Sequence, residues 1–268
     1  MNHLLRSLAP VSDSGWEMLD QEARERLMPA LGARKLVDFA GPLGWQHSAT
    51  NLGRTTRLQA GVESGVTALQ RRVLPLVELR ADFSLARDEL RDGDRGADDV
   101  DLTPLDDAAH QIAAAEGRAI FHGWGDAFTG IVESSPHKTL KASAPGDFPD
   151  RVAAAVELLL GVGVGGSYAL AAGNELFRLL SGGSEHGGYP LRQHLEKILD
   201  GSVIWVPGLT GGVVLSLRGG DFVFESGQDL SIGYDAHDAE HVHLYLQESF
   251  SFHVATPEAA VELSDIRP

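Results

Sequence analysis

The sequence of 268 residues contains no cysteine, and this absence excludes several kinds of site. Without thiols there is no disulfide scaffold, no cysteine-ligated zinc or iron–sulfur centre and no thiol nucleophile. The sequence also has no run of 18 apolar residues, the length that a transmembrane helix requires. We therefore expect no membrane partner. Because the first eleven residues lack the apolar core of a signal peptide, we expect a cytoplasmic protein.

Positive charge is scarce: 22 lysines and arginines stand against 38 aspartates and glutamates, and the formal net charge is −16. This balance disfavours binding to the phosphates of nucleic acids, so we expect no nucleic-acid partner. The composition is otherwise that of a globular protein, with 43% hydrophobic and 22% charged residues. A chain of this length can bury about 75% of its unfolded surface, so it needs neither a disulfide nor a structural metal to fold.

Hydrophobic periodicity predicts three long helices. Ser14 and Glu17 have the spacing of a capping box, so we expect the first helix to begin near Ser14. It should kink or end near Pro29, which lacks an amide donor. Apolar residues at three- and four-residue steps predict the other two helices at 104–122 and 150–160.

Short apolar stretches between and after these helices predict strands, and hence an α+β fold. Residues 222–261 are mostly strand by their alternation, with an expected change of phase near Glu248. Residues 47–73 contain two alternating stretches separated by glycines, the pattern of a long two-stranded arm. An isolated hairpin is only marginally stable in water, so we expect this arm to lie on its own domain or on a neighbouring subunit.

Two motifs could suggest chemistry with a cofactor or a metal. Glycines at 161, 163 and 166 match a dinucleotide-binding motif, but a helix precedes them and a strand follows, which is the reverse of the functional order. We therefore expect a helix-to-strand connection there. A second stretch, which could chelate a divalent ion, is rich in imidazoles and carboxylates: His237, Asp238, Glu240, His241 and His243. No third ligand is fixed by spacing, and we predict no metal site.

The glycine-rich loop 181–189 contains a serine, a carboxylate and an imidazole in succession. A Ser-type hydrolase would need such groups, but a glycine-rich loop does not hold them in a rigid hydrogen-bonded arrangement. Composition and spacing alone therefore indicate an α+β protein without a defined active site.

Segments spread along the chain match one protein family in order. They include Gly-Pro-Leu-Gly-Trp at 41–45 and Leu-Pro-Leu-Val-Glu-Leu-Arg at 74–80. The other matching segments are 8–10, 32–38, 166–170, 219–222, 227–234 and 246–250. In these segments the sequence resembles the encapsulin shell proteins of bacteria (type 1), also called the linocin bacteriocin family.

The resemblance implies the Hong Kong 97 phage capsid-like fold, an α+β fold with a peripheral domain, an axial domain and an extended loop. Five segments would follow: 1–46 with the N-terminal helix and the start of the peripheral domain, 47–73 as the extended loop, 74–122 as peripheral domain with its spine helix, 123–225 as axial domain, and 226–268 as the return to the peripheral domain. The extended loop would overlap a neighbouring subunit, which would support the predicted arm.

The resemblance also implies a non-enzymatic shell of about sixty identical subunits. The shell would enclose a dye-decolourising peroxidase or a ferritin-like protein, held through the C-terminal peptide of that cargo enzyme. The resemblance assigns peptide binding to Leu27, Arg34, Leu36, Asp38, Phe39, Leu230, Ile232 and Tyr234. An apolar groove with one cation and one carboxylate binds an extended peptide weakly, and many tethered copies then load efficiently.

The loop 181–189 resembles the axial-domain loop that lines the fivefold pore in this family. The pore residues would be Ser184, Glu185, His186, Gly187 and Tyr189. Rings of charged or titratable groups bias the passage of small solutes electrostatically. Some family members stack a flavin on a tryptophan at the position that Arg87 holds here, so we expect no flavin and no other cofactor. A Ser-type peptidase, a bacteriocin-like activity and a phage major capsid protein are the alternatives.

Overall fold

The computed structural model describes residues 3–59, 63, 65–184 and 188–264. Its α-helices are α1 (Asp13–Ala30), α2 (Arg87–Asp94), α3 (Thr103–His122), α4 (Ile131–Ser134), α5 (Phe148–Gly161), α6 (Asn174–Gly182) and α7 (Leu191–Leu199). The predicted helices at 104–122 and 150–160 are confirmed as α3 and α5. Over the ranges described, no helix is both long and apolar enough to cross a membrane.

The strands of the described residues form three sheets, which confirms the predicted α+β class. The strands are β1 (Asp38–Ala40), β2 (Ala49–Arg57), β3 (Leu69–Pro75), β4 (Val77–Ala86), β5 (Tyr168–Ala172), β6 (Val203–Trp205), β7 (Gly212–Ser216), β8 (Phe222–Ser226), β9 (Ser231–His237), β10 (His241–Val254) and β11 (Ala260–Leu263). The first sheet has the order β1-β8-β10-β4, with β9 also paired to β10. The second has the order β11-β7-β5-β6, and β2 and β3 form the third.

Helix α1 begins slightly before the predicted position, because Ser12 rather than Ser14 is its N-cap. Ser12 has an extended backbone, and its Oγ accepts a hydrogen bond of 2.9 Å from the amide of Gly15. The Ser14 hydroxyl instead donates to Asp94 at 2.9 Å. The predicted capping role of Ser14 is therefore wrong, whereas the predicted end of the helix is confirmed one residue after Pro29.

Strand β10 shows why the sequence suggested a change of phase. Its pairing with β4 runs from His241 opposite Ala86 to Phe250 opposite Val77 without a break. Alternation therefore continues through Glu248, and the predicted phase change is wrong. Glu248 shares a face with the buried residues on either side and is itself only 1% exposed. The sequence suggested a phase change because the charged Glu248 occupies a position in a row of otherwise apolar, buried residues.

The predicted two-stranded arm is confirmed in β2 and β3, which pair with each other as a separate antiparallel sheet. Its base is attached to β8: Thr50 Oγ1 donates to Glu225 Oε1 at 2.6 Å, and His47 Nε2 lies 2.8 Å from the same oxygen. From residue 53 to the end of β2, and from the start of β3 to Val73, every residue is exposed. The arm thus buries little against its own chain.

The last described strand differs from the expected organisation of 226–268. Strands β9 and β10 join the five-stranded sheet, but β11 pairs with β7 in the four-stranded sheet, where Ala260 lies opposite Leu215. The side chains of Val261 and Leu263 are fully buried there. The described part of this segment is therefore divided between two sheets, because the apolar strand β11 completes the second one.

Candidate functional site

A cavity of about 270 Å³ lies between helix α1 and strand β9. Most of its lining is apolar, with charged side chains of both signs among it. The lining residues are Asp20, Ala23, Arg24, Leu27, Met28, Leu31, Arg34, Asp229, Leu230, Ser231, Ile232 and Leu246. An apolar channel beside a strand is suited to an extended peptide with spaced apolar side chains.

Helical spacing explains the wall that α1 contributes. Ala23 and Leu27 are four residues apart, so they lie on one helix face, and both are buried. Met28 stands at the rim of the cavity and is 65% exposed. The opposite wall is β9, which pairs with β10 in the five-stranded sheet.

The segment before α1 joins the two walls of the cavity. The amide of Tyr234 donates to the carbonyl of Leu4 at 2.9 Å, and Arg6 Nε donates to the carbonyl of Ile232 at 2.8 Å. The same guanidinium binds Asp20 on α1, with 2.8 Å between Nη1 and Oδ2. These contacts fix the distance between α1 and β9 and leave the cavity open rather than collapsed.

Arg34 binds three carboxylates at the inner side of the cavity. Its Nε donates to Glu116 of α3, its Nη1 to Asp229 in the turn before β9, and its Nη2 to Glu248 of β10, each at 2.7 Å. Glu116 and Glu248 are 0% and 1% exposed, whereas Asp229 is 45% exposed. One guanidinium thus connects the turn after α1 to three other parts of the fold.

Burial controls the protonation of this cluster. Burial raises the pKa of Glu248 well above its ordinary value, and the charge of Glu116 adds to this effect while Arg34 opposes it. Burial also raises the pKa of Glu116, against the opposing charge of Arg34. Burial lowers the pKa of Arg34, but the carboxylates outweigh it and raise this pKa, so the guanidinium stays charged. Both shifts favour the protonated form of the buried carboxyl groups, and the shift is larger for Glu248.

We predict that Glu248→Gln stabilises the protein increasingly as the pH rises. A carboxyl group whose pKa is raised in the folded state keeps a proton that the unfolded chain releases. Its contribution to stability is therefore present below the unfolded pKa and is lost as the pH rises toward the folded pKa. Glutamine keeps an acceptor for Arg34 and cannot titrate.

The measurement is the midpoint of thermal unfolding at about pH 5 and about pH 8. The gain of the variant over the parent should be larger at the higher pH. Glu240→Gln, in the exposed turn between β9 and β10, is the matched control and should show no such difference. A gain for Glu248→Gln that is equal at both pH values would contradict the raised pKa of Glu248.

The structure brings four of the eight predicted peptide-binding residues to the cavity, namely Leu27, Arg34, Leu230 and Ile232. Leu36 and Asp38 line a second cavity, of about 180 Å³, beside β7 and β8. Asp38 Oδ2 accepts a hydrogen bond of 2.6 Å from the amide of Gly220 there. These two residues are displaced because β1 pairs in parallel with β8 and leads the chain away from α1.

Phe39 and Tyr234, the remaining two, are not among the lining residues of the α1–β9 cavity. Phe39 stacks on Phe224 with ring centroids 5.5 Å apart, and the Arg34 guanidinium lies 5.2 Å from each of these rings. The Tyr234 hydroxyl lies 2.6 Å from Nδ1 of His237. The stacking of Phe39 and the contact of the Tyr234 hydroxyl are thus made with residues outside the lining of this cavity.

Sequence reasoning missed the three carboxylates that bind Arg34. Glu116 carried a usable signal, because it follows Ile112 by four residues and precedes Ile120 by four, on the apolar face of α3. Glu248 carried a similar signal in β10. A buried acid needs a partner, and these two positions together indicate a buried cation.

Two predicted pore residues lie at the ends of the loop between α6 and α7. Ser184 forms an isolated β-bridge with Pro190, which closes the neck of the loop. Tyr189 is 37% exposed, and Nζ of Lys197 lies 4.9 Å from the centre of its ring. The other three predicted pore residues, Glu185, His186 and Gly187, lie outside the described residues.

The structure shows the surroundings of the two motifs that could suggest a metal or a cofactor, the histidine-rich stretch at 237–243 and the glycines at 161–166. The rings of His241 and His243 stack at 6.5 Å, and Nδ1 of His243 lies 2.8 Å from Ser84 Oγ. In the described part of the chain, no group of three histidine or acidic side chains is placed to hold a metal ion. Gly161 is the last residue of α5, and Gly163 and Gly166 lie between α5 and β5, which confirms the predicted helix-to-strand order.

Comparison with known proteins gives a consistent result over nearly the whole chain. A family model described as "Encapsulating protein for peroxidase" matches residues 1–251. A type 1 encapsulin shell protein of Rhodospirillum rubrum is 47% identical over 98% of this chain and 96% of its own. A protein of the same name from Rhodococcus erythropolis is 41% identical over 98% of this chain and 100% of its own.

Solved structures show the fold. A virus-like particle from Pyrococcus furiosus has a TM-score of 0.61 at 17% identity, covering 90% of this chain and 97% of that chain. The capsid of an empty GTA particle has a TM-score of 0.55 at 17% identity, covering 87% of this chain and 89% of that chain. These likenesses confirm the Hong Kong 97 phage capsid-like fold. The chain belongs to the family of type 1 encapsulin shell proteins, and it is a structural protein of a multi-subunit shell rather than an enzyme.

Proposed function

We propose that the α1–β9 cavity binds the C-terminal peptide of a cargo enzyme and so retains that enzyme inside the shell. The observation that carries this proposal is the cavity itself, an open apolar channel between a helix and a strand whose separation is fixed by Arg6. The description of the matching family names a peroxidase. A dye-decolourising peroxidase is therefore the proposed cargo, with a ferritin-like protein as the second candidate.

Apolar side chains of the peptide would fill the space between Leu27, Leu230 and Ile232. Arg34 positions the walls and does not bind the peptide through its charge, because its guanidinium already binds three carboxylates. Of the charged lining residues, Arg24 is exposed, and Asp229, although it binds Arg34, has a side chain that is 45% exposed. Such a contact is weak for one peptide, and it becomes effective when many grooves face one enclosed space.

We also propose a shell of about sixty subunits, the smallest icosahedral arrangement, assembled in the cytoplasm. The five-stranded sheet with α1 and α3 would form the peripheral domain, and the four-stranded sheet with α5 to α7 the axial domain. The arm of β2 and β3 would be the extended loop. The loop between α6 and α7 would line a fivefold pore for small solutes, with Tyr189 and Lys197 beside it.

The peptide-binding role is tested with Met28→Asp. Met28 lines the cavity and is 65% exposed, so an aspartate there adds a charge to the channel without disturbing buried packing. We expect shells of this variant, co-expressed with the peroxidase, to retain at least about tenfold less enzyme than the parent shells. The measurement is the molar ratio of peroxidase to shell protein in purified particles.

Gln21→Asp is the matched control, because it adds the same charge to an exposed position of α1 outside the cavity. It should leave loading unchanged. Deletion of the last residues of the peroxidase should abolish loading of parent shells. Equal loading of Met28→Asp and parent shells would overturn the assignment of the cavity.

A further inference from the structure

All the sulfur of this protein belongs to methionine, because the chain has three methionines and no cysteine. Met1 lies outside the described residues. Met18 is half-buried, and its Sδ packs so closely on α2 that a Cβ on Gly93 would lie 3.2 Å from it. Met28, in contrast, is 65% exposed. In the part of the chain that the structure describes, Met28 is therefore the more accessible of the two sulfur-containing side chains.

Met28 belongs to the lining of the α1–β9 cavity. Its neighbour in the chain, Leu27, is only 7% exposed, so the apolar wall of α1 passes from a buried side chain to an exposed one at the rim. A thioether is flexible and polarisable and adapts to an irregular apolar surface. A peptide lying in the channel would cover the Met28 side chain.

The proposed cargo, a peroxidase, consumes hydrogen peroxide, which is also an oxidant of thioethers. The Met28 sulfur would attack one peroxide oxygen, so that an S–O bond forms as the O–O bond breaks. The sulfur loses two electrons, and the peroxide gains them and leaves as water after taking up a proton. The product is methionine sulfoxide, which is polar where the thioether is apolar. The chain contains no thiol that could react with the peroxide instead.

Building on the proposed peptide-binding role of the cavity, we propose that Met28 is a peroxide-sensitive modification site whose sulfoxide weakens binding of the cargo peptide. Water solvates the sulfoxide oxygen in an empty channel, and an apolar peptide side chain would have to remove that water at a cost in free energy. Peroxide in excess of what the cargo consumes would thus loosen the cargo from the inner wall.

The neighbouring arginine strengthens this effect. Arg24 lies four residues before Met28 and is exposed, so the two side chains are neighbours on one face of α1. Both line the cavity. The Arg24 guanidinium donates to Gln21 Oε1 at 3.0 Å, and a sulfoxide oxygen at position 28 would offer it a second acceptor. A polar contact of this kind would hold the sulfoxide in the channel.

The rate of oxidation tests the site without any peptide. Purified cargo-free particles are treated with hydrogen peroxide, quenched with catalase at intervals and digested, and mass spectrometry gives the fraction of each methionine that carries one added oxygen. We expect Met28 to oxidise at least about fivefold faster than Met18, because reactivity follows exposure. In subunits unfolded by denaturant this difference should disappear, since both side chains are then in water.

Loading tests the consequence of oxidation. Cargo-free particles with Met28 oxidised and Met18 intact are freed of peroxide, dissociated and reassembled with the peroxidase. The molar ratio of peroxidase to shell protein should be about threefold to tenfold lower than for particles that were not oxidised. Methionine sulfoxide reductases specific for each of the two sulfoxide epimers, applied to the dissociated subunits, should restore the ratio.

Two variants serve as matched controls for loading. Met28→Leu keeps an apolar side chain and has no sulfur at this position, so its own loading before and after peroxide should be the same. Met18→Leu lacks the protected sulfur and keeps Met28, so peroxide should lower its loading as much as that of the parent. Met18 is not among the lining residues of the cavity.

Each outcome decides between the proposal and its alternatives. Oxidation of Met28 no faster than that of Met18 in the particle would overturn the modification site. Unchanged loading by the oxidised parent would overturn the effect of the sulfoxide, as would an equal fall in loading for Met28→Leu. Rapid oxidation of Met28, combined with equal loading of Met28→Asp and parent shells, would instead overturn the peptide-binding role and leave the oxidation site standing.

Discussion

Replacing Arg34 by methionine is expected to lower the free energy of unfolding by about 3–5 kcal/mol, the cost of leaving a buried charge without its partner. Arg34 is the cation of the buried cluster, and it binds Glu116, Glu248 and Asp229. Methionine fills a similar volume but provides no hydrogen-bond donor. The midpoint of thermal unfolding of the shell should fall by roughly 10 °C.

Two further variants test the same prediction, and they remain informative if Arg34→Met folds poorly. Adding Glu248→Gln to Arg34→Met removes one buried carboxyl group, so the double variant should recover part of the loss. Arg91→Met removes an exposed arginine with a single carboxylate partner and should cost about 0–1 kcal/mol. Equal losses for Arg34→Met and Arg91→Met would show that the buried cluster does not hold the fold together.

Replacing Gly208 by alanine is expected to cost about 2–5 kcal/mol, from backbone strain and from a steric clash. Gly208 has a φ of +84°, and a Cβ there would lie 2.0 Å from the carbonyl oxygen of Ala114 in α3. The loop between β6 and β7 approaches the long helix at this point. The clash would push the four-stranded sheet away from α3, and we expect fewer assembled particles and a lower thermal midpoint.

Gly163→Ala separates the two causes of this loss. Gly163 has a similar φ of +81°, but a Cβ there would meet nothing within 4 Å. Alanine at this position should therefore cost only the strain of a left-handed backbone, about 1–2 kcal/mol. Identical losses for the two variants would contradict the close approach of the loop to α3. The thermal midpoint of the purified particle measures both.

Local patterns in the sequence were sufficient for most of the fold. The apolar period of 104–122 predicts helix α3 because one face of that helix is buried along its whole length. The alternation in 47–73 predicts the arm, since strand pairing there is local. The pattern failed at Ser14, where two nearby serines offer similar caps, and at Glu248, where a buried carboxylate interrupts an apolar row.

The candidate site was only half predictable, because its walls and its charges meet over long sequence separations. The family resemblance assigns Leu27 and Ile232 to one peptide-binding groove, and in the structure both residues line the same cavity. Asp38 was placed with them, but the pairing of β1 with β8 carries it to the second cavity. The resemblance assigns Arg34 to peptide binding, and this role stays a prediction. Its three carboxylate partners come from distant segments, and no local period links those positions.

Whether the α1–β9 cavity holds a cargo peptide is tested most directly by electron cryomicroscopy of particles loaded with the peroxidase. We predict density for an extended peptide against Leu27, Leu230 and Ile232, on the inner wall of the shell. This density should be absent from particles made with peroxidase that lacks its C-terminal residues. Peptide density at another part of the inner wall, with this cavity empty, would contradict the assignment.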